Sequence, residues 1–139
     1  MVALYFTLGK GSHVVKTLLV VDDYEDLRKL VAFFLSVHGY EVLEAQSGRT
    51  AIHAAMEGNP NLILLDLRLP DMNGIEVARE LQKIPETAHI PVIAWTADYR
   101  AKPHRDMLLQ AGLFGCIQKP VSLRELEAVV ARCLNPLSA

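Results

Sequence analysis

Three carboxylates, a hydroxyl and an amine stand where apolar runs end. Thr17 to Val21 closes on Asp22 and Asp23, and Leu62 to Leu65 closes on Asp66. Ile90 to Trp95 leads into Thr96, and Gly115 to Gln118 leads into Lys119. An apolar run that ends in a bare carboxylate is costly unless water or positive charge meets the carboxylate. Taken singly, each residue has an ordinary use. The Asp22-Asp23 pair could be a turn and a helix cap, Asp66 a plain strand end, Thr96 a packed β-branched residue, Lys119 a surface lysine. Brought to one place they have a chemistry. Three carboxylates repel and raise one another's pKa unless a cation is present. Mg²⁺ answers that need, because it takes oxygen ligands and is held by one or two carboxylates plus phosphate oxygens. One carboxylate can then act as a nucleophile toward phosphorus, giving an aspartyl phosphate. A metal, an ammonium and a hydroxyl would stabilise the charge on the transferring oxygens.

The elements that must position these groups follow from the apolar pattern. Thr17 to Asp22 is a short continuous apolar run. Leu27, Leu30, Val31, Phe34 and Leu35 then recur at helical spacing, and Gly39 stops the helix. Tyr40 to Ala45 alternates, as an edge strand does. Ser47 caps a helix with Ile52, Ala55 and Met56 inward and Gly58 at its end. Leu62 to Asp66 is the next strand. Pro70, Asp71, Asn73 and Gly74 make a loop, and Ile75, Ala78 and Leu81 a short helix. Ile90 to Thr96 is the fourth strand. Pro103 opens a helix carrying Met107, Leu108 and Ala111, which Gly112 stops. Gly115 to Gln118 is the last strand. Ser122 and Glu125 form a capping box for a helix with Leu126, Val129, Val130, Cys133 and Leu134 on one face. Five strands thus alternate with five helices. Continuous apolar strands need cover on both faces, which requires a parallel sheet between helices. The expected fold is α/β, a flavodoxin-like doubly wound (βα)5 with strand order 2-1-3-4-5. Its ligand site lies at the carboxyl ends of the strands, near the switch point between the first and third.

Bulk properties narrow the function. A chain of 139 residues, half of them apolar, suits one domain with a real core. A net charge of −2 without a basic block argues against direct nucleic-acid binding. No apolar run approaches the roughly 20 residues that span a membrane. Cys116 and Cys133 form no CxxC motif, and the five histidines lack zinc-ligand spacing. A cytoplasmic domain is expected. MVALYFTLGKGSH has no charged signal-peptide start, and its Gly-Ser-His resembles a cloning scar. Residues 1–16 are therefore expected to be an extension or vector-derived tail, 17–135 the domain, and 136–139 a tail.

VVDD (Val20 to Asp23), LLDLRLPDMNG (Leu64 to Gly74), Thr96-Ala97 after an apolar strand, and Gln118-Lys119-Pro120 together resemble the receiver domain of bacterial two-component response regulators. The resemblance runs from about Thr17 to Leu134. It implies that Asp66 accepts a phosphoryl group from a sensor histidine kinase or phosphotransfer protein. It also implies that Asp23 holds Mg²⁺ (or Mn²⁺) directly, Asp22 partly through water, and that Asp66 and the Arg68 backbone carbonyl complete the protein ligands. Lys119 would bind the phosphate, with a cis bond to Pro120. Thr96 would report the phosphate, and Gly74 would permit tight backbone after the active loop. A downstream protein partner and a phosphorylation-dependent homodimer through Pro103 to Leu134 fit the same resemblance. The chain would be a signalling switch that catalyses its own phosphorylation and dephosphorylation, either stand-alone or cut from a larger protein.

Two positions depart from the family pattern. Cys116 stands where an aromatic residue commonly couples to the threonine, so a ring-swing switch is in doubt. Trp95 stands where a smaller aliphatic is usual, and strand alternation turns it away from Thr96, under a helix. Arg68 and Asp98, on opposite loops, either pair across the pocket and restrict the attacking water or are two solvated loop charges. Two rival functions remain on this reading. One is a receiver-like binding module that is never phosphorylated, favoured only by Cys116. The other is a haloacid-dehalogenase-like phosphatase, which needs a carboxylate where Arg68 stands.

Overall fold

Successive side chains of the first strand enter two different cores, which shows how the sheet is held. A computed structural model describes residues 14–97 and 110–135 of the chain. Its elements are β1 (Thr17–Val21), α1 (Glu25–Val37), β2 (Glu41–Ala45), α2 (Gly48–Gly58), β3 (Leu62–Leu65), α3 (Gly74–Lys83), β4 (Val92–Thr96), β5 (Leu113–Gln118) and α4 (Leu123–Leu134). Leu18 and Val20 join Leu62, Leu64, Ile93 and Trp95 in one core beneath α1 and α4. Leu19 and Val21 join Ile63, Leu65 and Ala94 in a second core against α2 and α3. Both faces of the strands are therefore dry, which is why they read as unbroken apolar runs.

All pairings are parallel, and the strand order is β2-β1-β3-β4-β5, the expected doubly wound arrangement. Edge strand β2 departs from the expected alternation: Val42 and Leu43 are both partly buried, one against each core, between exposed Glu41 and Glu44. Strand β5 starts two residues before Gly115, at Leu113. A register shift opposite Val92 and Ile93 leaves Phe114 without a partner in the ladder, so it turns outward. That bulge breaks the alternation on which a sequence reading depends. The expected helix from Pro103 to Ala111 falls largely on residues 98–109, outside the described residues. Residues 1–13 and 136–139 are outside them as well.

Two helices are rotated slightly from expectation. In α1, Leu30 is half exposed and Arg28 is buried instead. The Arg28 guanidinium has specific partners: it donates from Nε to Glu44 at 2.9 Å and from a terminal nitrogen to the Asp22 carbonyl at 3.0 Å. In α2, Met56 is exposed and Ala51 takes the inward place. Ser47 and Ser122 cap their helices as the sequence predicts, and Asn73, read from the sequence only as a loop residue, caps α3. Ser47, Asn73 and Ser122 each close a reciprocal capping box with the residue three positions on. Asn59, in the left-handed region, terminates α2 just after Gly58.

Gly74 is required by closeness rather than by backbone angle. A Cβ there would lie 2.7 Å from the Asp66 carbonyl oxygen and 2.8 Å from the Leu67 Cα. The start of α3 thus rests directly on the backbone of the candidate nucleophile. Gly74→Ala is expected to destabilise the fold by about 1–3 kcal/mol, the usual range for overpacking. In urea denaturation the midpoint should fall while the slope stays the same. An unchanged midpoint would show that the loop yields without cost.

Candidate functional site

The carboxyl ends of β1, β3, β4 and β5 bring together what the sequence places there. Asp22 and Asp66 each follow a buried strand and are buried themselves, at 1% and 7% exposure, whereas Asp23 is exposed. Backbone bonds fix the strand ends: Asp66 N–H donates to the Val21 carbonyl at 3.0 Å, and Lys119 N–H to the Thr96 carbonyl at 2.8 Å. One carboxylate oxygen from each of Asp22, Asp23 and Asp66 falls within 4.8 Å of the others. The Lys119 ammonium donates to Asp22 Oδ2 at 2.5 Å and to Asp66 Oδ2 at 3.3 Å. Thr96 is buried as the last residue of β4, beside Gln118 of β5. The Lys119–Pro120 bond is cis, as the resemblance implied.

The ordinary uses of these residues are only partly realised. Asp22 does make a local turn, accepting from Tyr24 N–H at 3.0 Å. The helix cap is Tyr24, however, with no side-chain cap bond from the acid pair. Asp66 Oδ1 accepts from Arg68 N–H at 3.0 Å. That bond turns the chain sharply and keeps Oδ2 toward Lys119. Burial raises the Asp66 pKa above the usual carboxylate range, and Asp22 adds to this. The Arg68 N–H and the Lys119 charge offset it in part. Among the described residues, one ammonium is shared between two of the three clustered carboxylates.

The hard oxygen set fits a small divalent cation. One carboxylate oxygen from each of the three residues lies close enough to the others for them to share one ion. Asp22, Asp23 and Asp66 could therefore hold the metal. Arg68 sits at the start of the following loop, bridged to Asn73. Asp98, its candidate partner across the pocket, lies outside the described residues. Cys116 pairs with Ala94 and packs on the α2–α3 side of the sheet, the side that strand parity assigns to Thr96. A thiol cannot make the ring swing that an aromatic side chain makes there.

Three residues that serve the site were not assigned these roles from the sequence. Arg28 holds the Asp22 carbonyl, and an inward arginine carries no signal in an apolar pattern. Asp71, read as a turn former, accepts from Gly48 N–H at 2.7 Å and Arg49 N–H at 2.9 Å. It thereby ties the loop after Asp66 to the N-terminus of α2, and these bonds lower its pKa. Trp95 packs under α4 as alternation predicts, but its ring also lies beneath Lys119.

Comparison with known proteins assigns the family. The model of the response regulator receiver domain matches residues 18–131. The polar-differentiation response regulator DivK of Brucella ovis is 38% identical over 78% of this chain and 87% of its own. A CheY-like receiver domain protein from Methanospirillum hungatei superposes with a TM-score of 0.79 at 27% identity, covering 88% of this chain and 96% of that one. The receiver domain of a Pseudomonas aeruginosa sensor histidine kinase, solved with magnesium in its active-site cleft, gives 0.77 at 28% identity over 87% and 98%. The chain belongs to the response regulator receiver domain family. Phosphorylation on an aspartate with Mg²⁺ is the general function of that family, and its members take the phosphoryl group from histidine kinases or phosphotransfer proteins. Among the described residues, no helix is long and apolar enough to cross a membrane.

The raised pKa of Asp66 sets a stability difference with a definite sign. A carboxyl whose folded pKa is raised stabilises the fold when protonated, and that contribution is lost as pH rises through the folded pKa. In EDTA at neutral pH, Asp66→Asn should melt a few degrees above the wild type. The gap should close as pH falls into the acid range where Asp66 is protonated. Equal melting temperatures at neutral pH would mean that Lys119 fully compensates the buried charge.

Proposed function

We propose that this chain is a phospho-acceptor switch in which Asp66 is the nucleophile. The observation that carries this reading is the Lys119 ammonium shared between Asp22 and Asp66, beside three carboxylates clustered for a metal. Asp22, Asp23, Asp66 and the Arg68 backbone carbonyl would hold Mg²⁺, or Mn²⁺ in its place. When bound, the metal supplies charge neutralisation for the phosphoryl oxygens and for the acid cluster.

Each residue then has one task. Asp66 Oδ2 attacks phosphorus in line, forming the new O–P bond as the donor's bond to phosphorus breaks. With a phosphohistidine donor, the electron pair leaves on the imidazole nitrogen. Lys119 moves from its carboxylate partners onto the phosphoryl oxygens, where its charge stabilises the transferring group. Thr96, at the end of β4, offers its hydroxyl to the same oxygens and carries the change to the neighbouring β5 backbone. Because Cys116 has no ring to swing, the signal passes through strand and loop backbone. The donor is a sensor histidine kinase or phosphotransfer protein, and a downstream protein reads the phosphorylated face.

Incubation with acetyl phosphate and Mg²⁺, followed by intact-mass measurement, tests the proposal. The wild type should gain one phosphoryl group, and neither Asp66→Asn nor an EDTA-treated sample should. Lys119→Ala should slow the gain by about 10²-fold, the usual effect of removing one charge-stabilising donor. A modification that persists in Asp66→Asn would overturn the assignment of Asp66.

A further inference from the structure

Trp95 is the sole tryptophan of the chain, and it is not an economical packing residue where it stands. It is 2% exposed, and its indole Nε1 finds no hydrogen-bond acceptor among the described residues. Burying an unpaired N–H is unfavourable, and a leucine would fill an apolar core without it. A local rule broken in a core is informative when something compensates nearby. Here the compensation is the Lys119 ammonium, 4.3 Å from the centroid of the indole ring.

The contact follows from register. Val21 pairs with Leu65, and Leu65 with Ala94. One step further along the same ladders places Asp22, Asp66 and Trp95 side by side. Parity puts all three on the face shared with Leu18, Leu64 and Ile93. Lys119, leaving β5, reaches over that face. Its ammonium therefore meets two carboxylate oxygens and the electron-rich face of an indole. Indole is the strongest of the side-chain rings for attracting a cation.

We infer that Trp95 is a positioning residue for phosphoryl transfer, holding the Lys119 ammonium over the acid pocket through its ring face. The inference rests on the reading of Asp66 as the phospho-acceptor. Carboxylates engaged by a metal would leave Lys119 with fewer hydrogen-bond acceptors. The ring keeps the ammonium in place between its partners in the resting site and the oxygens of the incoming phosphoryl group. A smaller aliphatic at this position would leave the lysine stem to find that place unaided.

Two measurements test this. In the first, the rate of labelling by acetyl phosphate at saturating Mg²⁺ is compared among wild type, Trp95→Leu and Trp95→Phe, with melting curves confirming that each variant folds. Trp95→Leu should label more slowly by about fivefold, the scale of a partly desolvated cation–π contact, and Trp95→Phe should recover most of that loss. Equal rates for wild type and Trp95→Leu would overturn the inference, as would equal slowing in both variants, which would point to packing alone. In the second, tryptophan emission is recorded in metal-free wild type and Lys119→Met, with no donor present. A changed intensity or maximum supports the contact, and superimposable spectra overturn it. If the wild type gains no phosphoryl group while the emission arm succeeds, the phospho-acceptor reading fails and the cation–ring contact stands without its catalytic role.

Discussion

A single ammonium group held between two buried carboxylates is the interaction around which the site is organised. Lys119 comes from the last strand, Asp22 from the first and Asp66 from the third, so no local segment can bring them together. Charges so placed would be costly without one another, since a buried carboxylate stays ionised only with a cation or donors at hand. The parallel sheet supplies the geometry. Its strands are dry on both faces and end together, so groups just past their ends meet water on one side and protein on the other. Burial, and then the neighbouring Asp22 charge, push the Asp66 pKa up, against the Arg68 N–H and the Lys119 ammonium. Three carboxylates converging on one point suit a divalent cation.

Around this centre the loops are fixed by side chains that do no chemistry. Arg28 reaches from α1 to the Asp22 carbonyl while its other edge is neutralised by Glu44 of β2. Asp71 fastens the loop after Asp66 to the first amides of α2, where a carboxylate is favoured by the helix dipole as well as by hydrogen bonding. Gly74 lets α3 begin against the Asp66 backbone. The loops are therefore tied to three different helices. Small displacements at Asp66 then have rigid elements to act upon, which a signalling domain requires.

The same side-chain parity separates two functions across the sheet. Trp95 falls on the face of Asp22 and Asp66, in the core under α1 and α4. Thr96 and Cys116 fall on the face of α2 and α3, where Cys116 packs. A ring thus lies on the lysine side, while on the threonine side the strand position beside Ala94 holds the thiol of Cys116. The aromatic character usual at the position of Cys116 is not moved elsewhere as a switch. It serves a different partner, the ammonium, through a different strand.

Much of this was legible in the sequence, for identifiable reasons. Apolar runs of strand length, helical spacing and capping boxes are local, so the order of the described elements followed from them. Parallel topology then forced the acids, Thr96 and Lys119 to one edge, because residues that end parallel strands end at the same edge. Helix phase was less secure. Leu30 and Met56 were expected inward and are exposed, since an apolar residue on a helix flank counts the same in a pattern whether or not the sheet reaches it. The bulge at Phe114 hid the true start of β5 by interrupting alternation. Only the tertiary structure could decide which buried groups meet: Arg28 with the Asp22 carbonyl, Asp71 with the α2 amides, Trp95 with Lys119. Those contacts depend on strand register and side-chain reach across elements distant in the chain. Residue types and spacing determine the chemistry a chain can attempt, whereas the few ångströms that place one ammonium on one ring are set only when the sheet has closed its ladders.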